Sequence, residues 1–399
     1  MLLAGLGHVA LAADAPAYPD LLQDALTKAP VLVEQRATVN AASADAAQAR
    51  AWLNPRLDAL SENLGAPASG GVSQRQNTYT LTQPLEIGGK RSARIEAGER
   101  NLAAAEARAR QVRVAFAARL ALAYAEVEAA QSRQTVAGEE VARAEDDLKA
   151  ATALVRAGRE ADLRQAQARA SVAAARAALQ AAAADVTQGL QQLSALTGTP
   201  DAYTGLGGSV FSLGDADAPD AVLAADNPAV QTARAERDAL EADVKVEQRR
   251  WIPEIGVSAG LRRYGWTSTS GYVVGVSATL PLLDRNRNGI TAAQQRQEAA
   301  QARLNAAERE AMASRRSAEA QLVAAGQRLT AAGEGESAAA EAYRLGRIGY
   351  EAGRTPLIEL LAIRRTLADA RLLTIDARLA RIRALAALAQ ADGRLAFGE

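Results

Sequence analysis

Three stretches of the chain alternate apolar with polar or small residues at a period of two. Asn77 to Pro84 sets Tyr79 and Leu81 against Thr78, Thr80 and Thr82. Glu254 to Arg262 sets Ile255, Val257, Ala259 and Leu261 against Gly256, Ser258 and Gly260. Gly271 to Leu280 sets Tyr272, Val274, Val276, Ala278 and Leu280 against Gly275, Ser277 and Thr279. Such runs predict strands with one apolar face, the weak signature of a membrane barrel strand. Pro55 to Gly65 is a poorer fourth, because its alternation slips around Leu60.

Between the strands the period changes to seven. Ser92 to Ala157 contains no proline and only Gly98 and Gly138 as glycines, enough for a helix of about 100 Å. Ile95, Leu102, Ala109, Phe116, Ala123 and Ala130 recur along it, followed by Val141, Leu148 and Val155. Val172, Leu179, Val186 and Leu193 keep the spacing beyond Gly158, as do Leu361, Ala368, Ile375, Ile382 and Ala389 near the end. A sustained seven-residue repeat predicts coiled-coil packing, and alanine at many seam positions predicts closely spaced helices.

The pattern is written twice. Trp52-Leu53-Asn54-Pro55 returns as Trp251-Ile252-Pro253 with the prolines 198 apart, and Thr82-Gln83-Pro84-Leu85 as Thr279-Leu280-Pro281-Leu282, 197 apart. Ala157-Gly158-Arg159 returns as Ala352-Gly353-Arg354, 195 apart, and Thr197-Gly198 is matched by Asp392-Gly393. Order and spacing survive together, so an internal duplication is expected. One repeat spans 13–198 and the other 227–399, each running helix, strand pair, very long helix, tip turn, helix. A Gly, Asp and Pro-rich connector lies at 199–226. Residues 1–12, MLLAGLGHVALA, end in the small-x-small pattern of a signal peptide.

Composition narrows the chemistry. There are no cysteines, the only histidine is His8, and 46 Lys plus Arg balance 46 Asp plus Glu. Thiolate sites and the commonest general base are therefore missing from the mature chain. No carboxylate or arginine spacing demands catalysis, so no enzyme, no metal site and no cofactor are expected. The zero charge balance gives no reason to expect nucleic acid. No apolar run is long enough to span a bilayer as a helix, so strands must make any crossing. Four strands cannot close a barrel, and open edges are not tolerated in lipid. A homotrimer would supply twelve strands and pool its long helices into a tube. The expected fold is thus mainly α with a membrane β-barrel: long antiparallel coiled-coil helices plus four strands per chain, closing as a 12-stranded barrel in a trimer.

This duplicated helix–hairpin–helix pattern resembles the TolC family of trimeric outer-membrane efflux ducts over essentially the whole mature chain. Gln83-Pro84-Leu85-Glu86-Ile87-Gly88-Gly89-Lys90-Arg91 is similar to the strand-to-helix junction of its cation-efflux (CzcC-like) branch. The turns at Gly158-Arg159-Glu160-Ala161-Asp162-Leu163 and Gly353-Arg354-Thr355-Pro356-Leu357-Ile358-Glu359-Leu360 resemble the family's periplasmic tips. The resemblance implies the exit duct of a tripartite pump in a Gram-negative outer membrane, with most of the chain in the periplasm. Its partners would be outer-membrane lipid, a periplasmic adaptor (membrane fusion) protein and an inner-membrane transporter of the resistance-nodulation-division type. The adaptor-binding and aperture tips would be Gly158, Arg159, Asp162 and Leu163, with Gly353, Arg354, Thr355, Glu359 and Leu360. Two acidic residues constrict the second tip in some family members, and matching Arg354-Thr355 places those positions on Ile358 and Leu361. A duct without metal ligands is consistent with heavy-metal cargo, because a tightly bound ion would not leave.

Three alternatives stay open on sequence alone. A drug or organic-compound duct of the same family would differ in cargo. A periplasmic adaptor would carry one hairpin and separate β domains, and a structural coiled coil would partition away from membranes.

Overall fold

A computed structural model describes residues 13–65, 71, 73–158, 161–215, 227–267, 269–352 and 354–398. The expected signal peptide, part of the connector, and the tip residues Arg159 and Gly353 lie outside the described residues. The order is α1 (Tyr18–Lys28), α2 (Pro30–Ala49), β1 (Arg56–Glu62), β2 (Gln76–Leu85), α3 (Lys90–Arg156) and α4 (Asp162–Thr197). After a short 3-10 turn at Ser212–Asp215 come α5 (Pro228–Arg249), β3 (Glu254–Tyr264), β4 (Ser270–Thr279), α6 (Arg287–Glu351) and α7 (Leu357–Ala391). Helices α3 and α6 run for 67 and 65 residues, close to the length that the unbroken sequence predicts.

The chain falls into two compact units, each drawing on both halves of the sequence. The first joins Arg36–Ala109 with Ala229–Ala307 and holds one antiparallel sheet in the order β1-β2-β3-β4. Pairing Leu57 with Leu81, Leu81 with Ala259 and Ala259 with Val274 lines up one apolar rung. The next rung is Ala59, Tyr79, Leu261 and Tyr272. These side chains are strongly exposed in the chain, Tyr272 at 89% and Val274 at 80%. The opposite face carries threonines, serines and glycines. There Arg262 Nε donates to Thr78 Oγ1 at 3.0 Å and Ser258 Oγ to the Gly275 carbonyl at 3.1 Å. Leu60, where the alternation slips, pairs with Thr78 and so stands on this polar face. β1 and β4 each pair on one side only within the chain, leaving two edges that lipid would not tolerate.

Five of the nine positions of the nonapeptide at the β2–α3 junction have a local job. Gln83 Nε2 donates to the Leu53 carbonyl at 2.9 Å, and Glu86 forms a 2.5 Å ion pair with Arg94. Arg94 also donates to the carbonyls of Ala49 and Ala51. Gly88 and Gly89 have φ of 65° and 79°, and a side chain at Gly88 would stand 2.7 Å from Ile252 Cδ1, so only glycine fits this turn. Arg91 donates to the Arg50 carbonyl at 2.6 Å, with its guanidinium 4.6 Å above the Trp52 ring. Trp52 and Trp251 are both largely exposed, at 70% and 52%.

The β4–α6 junction solves the same problem differently. Asn286 takes the left-handed conformation, φ 55°, at the position matching Gly89. Its Nδ2 donates to Glu247 at 3.0 Å on the carbonyl and 2.6 Å on the carboxylate. The Asn286 hydrogen bond is the main reason the Glu247 carboxyl titrates below its usual range; burial opposes it and Arg250 assists. A depressed carboxyl stabilises the fold above its unfolded pKa, and that contribution fades as pH falls through the folded value. Asn286→Gly keeps the backbone conformation and removes the amide. It is expected to lower stability by about 1 kcal/mol at pH 7, a deficit that shrinks below about pH 4. Thermal unfolding of both proteins at pH 7 and pH 3.5 checks this.

The second unit joins Met1–Gln35, Arg110–Pro228 and Glu308–Glu399. Tyr18, Leu21, Leu22, Phe116, Leu120, Tyr124, Leu193, Val210 and Ile382 are buried at its centre. Tyr18 packs edge-on against Tyr124 and Phe397, with its hydroxyl 2.8 Å from the Ala396 carbonyl and 3.0 Å from that of Ala117. Burial pushes the Tyr18 phenol far above its usual pKa. Along α6, Ala311, Ala318, Ala325, Ala332 and Ala339 are buried at every seventh position. Thr374 Oγ1 on α7 reaches the Ala332 carbonyl at 3.3 Å, an approach that alanine permits. The sequence duplication is visible in the backbone too, with Gly198 and Gly393 at φ 79° and 74° just beyond α4 and α7.

Candidate functional site

Both turns expected to form tips lie in the second unit. Just beyond the end of α3 stands Gly158, φ 68°, whose N–H donates to the Val155 carbonyl at 2.9 Å. α4 then starts at Asp162 after Ala161. Asp162 is exposed and Leu163 is 66% exposed. At the other turn, α7 starts after Pro356. Arg354 and Thr355 N–H groups both donate to the Gly349 carbonyl, at 2.8 and 3.2 Å. Arg354 and Glu359 are exposed and Thr355 is half-buried. Leu360 departs from the expected contact surface: it is only 8% exposed, because it turns toward α6, where even a Cβ at Gly346 would meet its Cδ1 at 3.7 Å. The outward apolar side chain here is Ile358, 65% exposed.

Gly349 is a position that sequence reading did not single out. A Cβ there would overlap Thr355 Oγ1 and lie 3.3 Å from Thr355 Cβ. Gly349→Ala is therefore expected to loosen the turn, seen as several-fold faster limited proteolysis at 352–356. The Gly349→Ala/Thr355→Ala double variant should recover most of the loss, since neighbouring substitutions couple.

Behind the turns, α3 and α7 are joined by a ladder of ion pairs running antiparallel. Glu126 meets Arg383 at 3.8 Å, Arg133 meets Asp376 at 2.7 Å, and Glu139 meets Arg371. Arg364 closes the ladder, 3.3 Å from Glu140 and in direct contact with Asp147. Arg143 crosslinks the centre, 2.7 Å from Glu139 and 2.6 Å from Glu140, with its guanidinium 5.7 Å from the Tyr343 ring on α6. Burial would raise Glu139, but hydrogen bonds and charge from Arg371 and Arg143 outweigh it and hold the carboxyl below its usual range. Asp147 goes the other way: burial pushes it up, and Arg364 only partly offsets this. The Arg364 side chain is 12% exposed, whereas Glu126 and Arg383 are about half exposed. The Arg364 end is therefore the energetically sensitive one.

The described part of the connector is also fixed to α3. The Glu128 carboxylate accepts from the Val210 and Phe211 N–H groups at 2.8 and 3.2 Å and from the Ser209 hydroxyl. Arg381 Nε on α7 donates to the Gly214 carbonyl at 2.7 Å. Among the described residues no group of three or more His, Cys, Asp or Glu could hold a metal ion, and no helix is long and apolar enough to cross a membrane.

A four-stranded sheet with one apolar, exposed face, two open edges and two helices of more than 60 residues defines a class, that of outer-membrane channel proteins. The family described as outer membrane efflux protein matches residues 21–199 and 221–394, and the chain belongs to that family. It is 62% identical over 399 residues to the nickel-cobalt-cadmium resistance protein NccC of Alcaligenes xylosoxydans xylosoxydans, covering 100% of this chain and 91% of that one. It is also 62% identical over 389 residues to the nickel and cobalt resistance protein CnrC of Cupriavidus metallidurans, covering 97% and 93%. Its fold matches that of CusC with a TM-score of 0.82 at 18% identity, covering 98% and 95% of the two chains. The protein is thus an outer-membrane efflux protein, as the resemblance to the TolC family implied, and its family is one of channels rather than of enzymes.

Proposed function

We propose that the chain is the outer-membrane exit duct of a tripartite pump for divalent transition-metal cations, with nickel, cobalt and cadmium as cargo. The observation that carries this reading is the 62% identity along the whole chain to a relative named for resistance to those three metals. Three copies would join β4 of one to β1 of the next, because closure is the way to satisfy both free edges in lipid. In this reading the duct conducts passively, and weak binding along it lets an ion leave. Energy and selection come from an inner-membrane transporter of the resistance-nodulation-division type, coupled by a periplasmic adaptor.

In this reading the two sequence repeats at 13–198 and 227–399 each supply one hairpin and one tip, joined by the connector at 199–226, after removal of a signal peptide at 1–12. The adaptor docks on Gly158, Arg159, Asp162 and Leu163 of one tip and Gly353, Arg354, Thr355 and Glu359 of the other. Buried Leu360 seats the start of α7 beneath that surface. A growth-inhibition profile of a deletion strain tests the proposal, with nickel, cobalt and cadmium beside lipophilic drugs. Sensitivity to the metals, reversed by the plasmid-borne gene, supports it. Sensitivity to drugs alone keeps the duct and overturns the cargo.

A further inference from the structure

One end of the apolar sheet face stops at a polar rung. Ser61, Asn77, Arg263 and Ser270 stand side by side there, with Ser61 Oγ 2.8 Å from Asn77 Oδ1. This is the hairpin end, remote in sequence from every helix junction. The rung next to it is Ala59, Tyr79, Leu261 and Tyr272, so two tyrosines mark the boundary as an interfacial aromatic belt would. Arg75 extends the same face by one step: its carbonyl accepts from the Gly265 N–H at 2.7 Å, continuing the β2–β3 pairing. Arg75 and Arg263 are both exposed. The register puts the acidic residues of β1, Asp58 and Glu62, on the opposite face. Two arginines therefore stand just above the apolar band, with no carboxylate beside them on that face of the sheet among the described residues.

We infer that Arg75 and Arg263 form a binding site for the phosphate groups of a phosphorylated glycolipid in the outer leaflet of the outer membrane. A lipid whose acyl chains lie along the Leu261–Tyr272 rung would present its headgroup phosphate at the level of Arg263. Guanidinium groups match phosphate oxygens in pairs. The tyrosines beneath offer apolar rings to the upper part of the acyl chains. Three copies would surround the barrel with six such cations, which fixes the depth of the strands in the leaflet.

The inference rests on the strands standing in the outer membrane, so the test keeps the two apart. Full-length protein is extracted from outer membranes in detergent, and its affinity is measured for bis-phosphorylated lipid A and for the dephosphorylated glycolipid in mixed micelles. The Arg75→Ala/Arg263→Ala variant is expected to bind lipid A about tenfold or more weakly than the parent. The Arg75→Lys/Arg263→Lys variant should lose much less, and the parent should bind the dephosphorylated lipid no better than the alanine variant does. Equal affinity of parent and alanine variant for lipid A overturns the inference, as does equal affinity of the parent for the two lipids. Recovery of all variants in the outer-membrane fraction shows that the membrane reading holds whichever way binding falls.

Discussion

Gly260→Ala is expected to remove the assembled protein from the outer membrane, the largest single-residue effect in the sheet. A Cβ at Gly260 would overlap the Tyr79 carbonyl oxygen and lie 2.9 Å from Thr80 Cα. Both obstacles are backbone of the paired strand β2, so neither can rotate aside. The added methyl must push β2 and β3 apart at the rung where Gly260 pairs with Thr80, and ladder hydrogen bonds are lost with it. A cost above about 3 kcal/mol follows, beyond ordinary overpacking. Gly275 is the control. Its Cβ would meet only Ser258 Oγ, at 2.9 Å, a hydroxyl that can swing away. Gly275→Ala should leave outer-membrane recovery close to that of the parent. Immunoblots of outer-membrane fractions, with and without heating, separate the two variants. Equal recovery of both would refute the steric account.

Gly260 also shows where sequence reading stops. Period-two alternation placed it on the polar face with Ser258 and Gly256, and the register keeps it there. What alternation could not show is which glycine is required, because that depends on the neighbour strand's carbonyl. The nonapeptide at 83–91 raises the same point. As a string it resembles a mark of one branch; in three dimensions Gln83 and Arg91 tie the turn to the segment around 50–54, Glu86 ties it to Arg94, and Gly88 packs against Ile252. These contacts are mechanical and independent of cargo. The seven-residue seams were legible because burial on a long helix imposes its own period. Phe116, Ala130, Val172, Leu193, Ile375 and Ile382 are all buried as expected. The ion ladder was not legible. Glu126, Arg133, Glu140 and Asp147 do recur at intervals of seven, but in a helix so rich in Arg and Glu almost any offset yields charges. Their partners sit more than 200 residues away on α7, and only pairing of the helices reveals them.

That ladder carries the second large expected effect, and the two ends of its terminal ion pair should respond unequally. Arg364→Ala leaves Asp147 half-buried without its cation and removes one of the two arginines at Glu140. Stripping a partner from a desolvated carboxylate costs about 3 kcal/mol, which corresponds to roughly a hundredfold rise in local amide exchange. Asp147→Asn removes the charge that burial disfavours, while Arg364 keeps Glu140 3.3 Å away. That change should cost about 1 kcal/mol or less. Hydrogen exchange across 140–150 and 358–371 reads both. The pH dependence gives an independent check. Asp147 already titrates above its ordinary range because of burial, and losing Arg364 takes away the attraction that restrained it. A carboxyl with a raised folded pKa destabilises as pH rises through the interval between its unfolded and folded values, and acid removes that penalty. The Arg364→Ala deficit should therefore be full at pH 7 and shrink as pH falls toward about 4. Adding Asp147→Asn to Arg364→Ala should restore protection at neutral pH as well. A deficit that persists unchanged in acid and in the double variant would mean that lost packing of the Arg364 side chain, and not a stranded charge, loosens α3 from α7.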